Sequence, residues 1–69
     1  MPRIEADLVE SDVHMAIRNT DWIAIEQGGR WEIRCGDRLH DYADNDAQAK
    51  AKLLDNAEPD WLAAQSERR

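Results

Sequence analysis

The sequence predicts an α+β domain: a three-stranded antiparallel sheet surrounded by three helices, in the order α-β-β-β-α-α, over the single domain 1–69. Three observations carry that reading. Apolar and polar residues alternate on both sides of Gly28-Gly29, apolar residues recur at helical spacing before this segment, and an Ala-rich stretch with helical spacing follows it. A chain of 69 residues buries only about 60% of its unfolded surface, so its core is thin and its few large apolar residues are needed for folding.

Val9, Val13, Ala16 and Ile17 fall at i, i+4, i+7 and i+8, which places them on one face of a first helix. Asp7 followed by Glu10 resembles a capping box, Ser11 is a second candidate cap, and acids suit the positive end of a helix. Asn19, Thr20 and Asp21 mark its exit. Trp22 to Gln27, Gly28-Gly29 and Arg30 to Cys35 then read as a β-hairpin. A three-residue loop, Gly28 to Arg30, would gather Ile23, Ile25, Trp31, Ile33 and Cys35 on one face, with Glu26, Arg30, Glu32 and Arg34 on the other. Trp22 falls out of phase with the two isoleucines and is expected on the charged face.

Gly36-Asp37 is a second turn signal, and Arg38 to Ala43 predicts a third strand at the sheet edge, where Arg38 and Asp41 discourage pairing with other chains. Beyond Tyr42 the period becomes helical. Asp44 or Asn45 is the cap, Gln48 can complete a box with Asn45, Asp46 and Lys50 form an i, i+4 pair, and Ala47, Ala51 and Leu54 share a stripe. Asn56 and Ala57 are expected to end that helix. Pro59 would open a last short one anchored by Trp61 and Leu62, fraying over residues 65–69.

Fifteen Asp and Glu oppose nine Lys and Arg, for a net charge of −6. The excess lies outside the predicted hairpin, whose Glu26 and Glu32 are matched by Arg30 and Arg34. Such a surface attracts basic protein grooves and repels nucleic acid and anionic membranes. No apolar run approaches the ~20 residues of a membrane span. The lone Cys35 forms no internal disulfide and the N-terminus lacks a signal-peptide pattern, which points to the cytoplasm.

No constellation of residues points to catalysis, a cofactor or a metal. His14 and His40 stand alone, and Cys35 alternates onto the apolar strand face as a small hydrophobe. Asp44-Asn45-Asp46 lacks the glycine and terminal glutamate of a calcium loop, and Gly28-Gly29 lacks the lysine and following helix of a phosphate loop. The chain is therefore expected to be non-enzymatic and to bind no nucleic acid directly. The residues singled out for binding are an acidic ridge of Asp37, Asp41, Asp44 and Asp46, extended by Glu10 and Asp12, whose carboxylates could imitate a phosphate track.

In size, in acids at Glu5, Asp7, Glu10, Asp12, Asp37, Asp41, Asp44 and Asp46, and in the predicted three-strand, three-helix architecture, the chain resembles the small acidic anti-CRISPR proteins of phages, most of all the inhibitors of type I-C Cascade. That resemblance implies a monomer in the host bacterial cytoplasm, whose acidic surface occupies a basic groove of the Cas8 subunit and blocks recognition of target DNA and its protospacer-adjacent motif. The alternative is a small prophage or bacterial regulator, antitoxin-like or an anti-activator, that grips a host protein through Trp22 and the edge strand Arg38 to Ala43.

Overall fold

A computed structural model of the protein describes residues 3–67, and over these residues it has five antiparallel strands, a short 3₁₀ turn and one long helix. A 3₁₀ turn over Ile4–Asp7 leads into β1 (Leu8–Glu10), β2 (His14–Ile17), β3 (Trp22–Gln27), β4 (Arg30–Cys35) and β5 (Arg38–Ala43), and α1 (Asp46–Glu67) closes the chain. The strands lie in sequence order, a simple meander. The class is α+β, but the expected three strands and three helices are replaced by five strands and one α-helix.

The segment expected to be the first helix is a hairpin instead. Leu8 pairs with Ile17, Val9 with Ala16 and Glu10 with Met15, while His14, Met15 and Ala16 pair with Ile25, Ala24 and Ile23. The apparent 3.6-residue period of Val9, Val13, Ala16 and Ile17 splits across two strands and a turn. β-branched residues favour that outcome, and pairing with β3 decides it.

The β3–β4 loop has two residues, not three, and this inverts the expected face. Gly28 and Gly29 both have positive φ, 61° and 81°, the backbone of a tight turn whose twist matches that of the flanking strands. Gln27 pairs with Arg30, Ala24 with Ile33 and Trp22 with Cys35. Trp22, Ala24, Trp31 and Ile33 therefore point into the core, and Ile23 and Ile25 point away from it. The Glu26 carboxylate accepts the Gly29 N–H at 3.1 Å and helps to hold the turn.

Helix α1 starts as the sequence predicts. Asn45 Oδ1 accepts the Gln48 N–H at 2.8 Å, and Gln48 Oε1 accepts the Asp44 N–H at 3.1 Å, a reciprocal cap. The buried stripe is Ala49, Leu53, Ala57 and Trp61, where Ala47, Ala51 and Leu54 were expected. Ala47 and Ala51 are exposed and Leu54 is half-buried. An alanine-rich helix has little apolar contrast between its faces, so the sheet selects the stripe: small Ala49 and Ala57 let the helix lie close, and Leu53 fills the centre.

The helix also runs through Pro59 without interruption. Proline removes the hydrogen bond to the Asp55 carbonyl and normally costs about 3 kcal/mol inside a helix. Two indole hydrogen bonds just past the position hold the last turns down. Trp22 Nε1 donates to Asp60 Oδ2 and Trp61 Nε1 donates to Asp7 Oδ2, each at 2.7 Å. Gln65 to Glu67 stay helical, and the last two residues of the segment expected to fray lie outside the described residues.

The core is thus one layer between sheet and helix: Ile4, Met15, Ile17, Trp22, Ala24, Trp31, Ile33 and Ala43 below, and the helical stripe above. Among the described residues, no buried side-chain nitrogen or oxygen lacks a hydrogen-bond partner.

Candidate functional site

Because the helix covers one face of the sheet, the other face is open, and the strand registers define what it carries. One lateral row crosses the sheet as Val9, Ala16, Ile23, Arg34 and Leu39. The next runs His14, Ile25, Glu32 and Tyr42. Antiparallel sheets that face water usually carry polar residues outward, yet six of these nine positions are apolar. Val9 is 43% exposed, Leu39 39% and Tyr42 38%.

The charged side chains on this face are engaged within it. Arg34 donates from Nε and Nη2 to Glu32 Oε1 at 3.0 and 2.7 Å. The Arg30 guanidinium lies 3.9 Å from the centre of the Tyr42 ring, a cation–π contact. With Arg30 and Arg34 set against Glu32, the open face escapes the acidic excess of the chain.

That excess lies at the ends of the sheet and on the helix layer. Asp46, Asp55, Glu58, Asp60 and Glu67 outnumber Lys50 and Lys52 along α1. Both lysines are turned to the flanks, since residues two apart on a helix point to opposite sides. Lys50 reaches Glu10 on β1 at 3.8 Å, and not Asp46 as expected, while Lys52 reaches Asp41 on β5 at 3.4 Å.

The acids singled out from sequence are dispersed by this topology. Asp37, in the β4–β5 turn, and Asp44 lie at opposite ends of β5, roughly 20 Å apart along the strand. Asp44 and Asp46 sit together at the helix start. Glu10 and Asp12 lie at that same end but on the far edge of the sheet, and Glu10 and Asp41 each face a lysine. Asp55 and Glu58, exposed one turn apart on α1, join Asp44 and Asp46 on the helix side. Sequence reasoning missed them because it assigned Glu58 to the start of a separate helix.

The edge strand proposed as a binding element is closed at Tyr42. The Tyr42 N–H donates to Asp41 Oδ1 at 2.7 Å, and its carbonyl accepts from Lys52 Nζ at 2.6 Å. Both backbone groups are therefore occupied by side chains. A register shift between Ile33 and Arg34 adds a bulge beside His40, and the opposite edge, β1, is only three residues long. These are the features that keep edges from recruiting further strands.

The Tyr42 N–H and then the Lys52 ammonium hold the Asp41 carboxyl below its ordinary pKa. The cap is therefore complete above that ordinary value and is lost as pH falls through the lowered native one. Asp41→Ala at neutral pH should reduce the exchange protection of the Tyr42 amide to that of the acidified parent. Unchanged protection would show that the carboxylate is not the cap.

Trp22, expected on the charged face, is 6% exposed. Its ring contacts His40 at 4.7 Å between centroids, so it offers a partner no surface. Partial burial raises the Cys35 thiol above its usual pKa, and Asp60 and Asp21 add to the effect, which disfavours the nucleophilic thiolate. An open depression of about 350 Å³ between the 3₁₀ turn and the end of α1 is lined by Arg3, Ile4, Glu5, Glu58, Trp61 and Leu62. Among the described residues, no three His, Cys, Asp or Glu side chains converge as metal ligands, and no helix is long and apolar enough to cross a membrane. No protein family, curated protein or solved structure matches the chain.

Proposed function

We propose that the chain acts by stoichiometric binding, presenting its acidic helix layer to a Lys/Arg-lined groove of a partner protein. The observation that carries this reading is the segregation of charge. Lys50 and Lys52 are directed to the sheet edges, which leaves Asp55 and Glu58 exposed along α1 and Asp44 and Asp46 exposed at its start. Carboxylates in that setting compete with phosphates for the same cations, so complex formation should weaken steeply with salt.

The narrower reading, an inhibitor that blocks DNA recognition by Cas8 of type I-C Cascade, keeps the support of size and charge and loses that of architecture. DNA binding by Cascade with and without the protein tests it. Asp55→Lys with Glu58→Lys should abolish inhibition without unfolding the chain, since both positions are exposed and lysine is a good helix former. Asp37→Lys, at the distant end of β5, should change it little. Full inhibition by the folded double variant would overturn the helix-layer assignment.

A further inference from the structure

We infer that two copies of this chain pack open face to open face, about a two-fold axis that lies between the two lateral rows of the sheet. The inference rests on the open face and is independent of the acidic helix layer. An axis placed there sets each strand over its own equivalent running the opposite way, so each residue of one row meets its neighbour from the other row. Ile23 then lies over Ile25 of the second copy, Leu39 over Tyr42 of the second copy, and Arg34 over Glu32 of the second copy. Every contact recurs by symmetry. Isoleucine meets isoleucine and Leu39 meets Tyr42, Ala16 lies over His14 of the second copy, and the two Glu32–Arg34 pairs join into one ring of alternating charge.

Three features favour a second copy over other occupants. Both sheet edges are protected, so the uncovered face is where association can occur. Of its arginines, Arg34 is paired with Glu32 and Arg30 rests on the Tyr42 ring, which leaves a single net positive charge to draw an anionic protein or lipid. Finally, face-to-face packing holds the two acidic helix layers about 30 Å apart, well beyond the screening length of ~8 Å, whereas helix-to-helix packing of two copies brings acid to acid. The face spans roughly 24 Å by 17 Å, about 400 Å² per copy and so about 800 Å² in all, below the ~1,200–2,000 Å² of stable specific interfaces, which makes the dimer weak and reversible.

Sedimentation equilibrium of the full chain tests the inference. The mass should rise from 7.9 kDa toward twice that value with concentration. Ile25→Asp should hold the chain at the monomer mass. Glu32→Arg and Arg34→Glu should each weaken association roughly tenfold, and the double exchange Glu32→Arg/Arg34→Glu should restore it, because the two-fold pairs the exchanged charges again. Circular dichroism confirms that each variant is folded. A parent chain that stays monomeric at every concentration overturns the inference and leaves the face to a foreign partner. Association that survives Ile25→Asp, or that the double exchange fails to restore, overturns the two-fold arrangement.

Discussion

Leu53→Ala is expected to remove about 2–5 kcal/mol of stability. Leu53 is fully buried and stands between Ala49 and Ala57 on the helical stripe, so it is the central large side chain by which α1 meets the sheet. Truncating it leaves three alanines in succession on the buried stripe, Ala49, the substituted position and Ala57, and opens a cavity between helix and sheet. A domain of this length holds only about 3–10 kcal/mol in total. The substitution therefore removes a large part of the folding free energy, and the midpoint should fall by at least about 8 °C where 1 kcal/mol shifts it by about 4–8 °C. Leu53→Met, which keeps volume, should cost less than about 1.5 kcal/mol. Urea and thermal unfolding of the two variants measure the contrast. A loss below about 1 kcal/mol for Leu53→Ala would mean that the helix is keyed to the sheet elsewhere.

The fold was legible where its determinants are local. Gly28-Gly29, Gly36-Asp37 and the Asn45/Gln48 cap lie within a few residues of what they organise, and β3, β4, β5 and the start of α1 follow from them. The rest depends on distant partners. β1 and β2 have three and four residues, too few for alternation to outweigh a chance helical spacing. The face of β3 is settled by the helix: Ala24 leaves room for α1 where Ile23 or Ile25 would not, and the bulk of Trp22 and Trp31 fills the space to either side. Once that register is set, Ile23 and Ile25 must face outward, and the open face follows.

The candidate site was less legible for the same reason. Asp37, Asp41, Asp44 and Asp46 are close in sequence, but a strand separates the first from the last two, and Lys52 returns from the helix to meet Asp41. Asp44 and Asp46 therefore stay together at the helix start, while Asp37 is carried to the other end of β5. The side-chain cap on the Tyr42 edge likewise draws on a lysine ten residues away.

Helix α1 beyond Pro59 is the clearest case of tertiary structure overriding a local signal, and it leads to a distinctive expectation. Asp7→Ala with Asp60→Ala removes both indole hydrogen bonds, each worth about 1 kcal/mol at a partly exposed site. Locally, Asn56 and Pro59 favour a break, and the missing bond to the Asp55 carbonyl leaves the last turns weakly tied to the first three. Without the two latches, the segment from Asp60 to Glu67 should unwind while residues 46–56 stay helical. Amide exchange would show protection lost only past Pro59. Restoring the backbone donor with Pro59→Ala in the same background should recover part of that protection, because the helix can then propagate from its own N-terminal half. Double-mutant cycles on Trp22→Phe with Asp60→Ala, and on Trp61→Phe with Asp7→Ala, separate hydrogen bonding from packing. If the doubly substituted chain keeps full protection through Glu67, the burial of Ala57 and Trp61 alone holds the helix straight, and the indole latches are consequences of its path and not the cause.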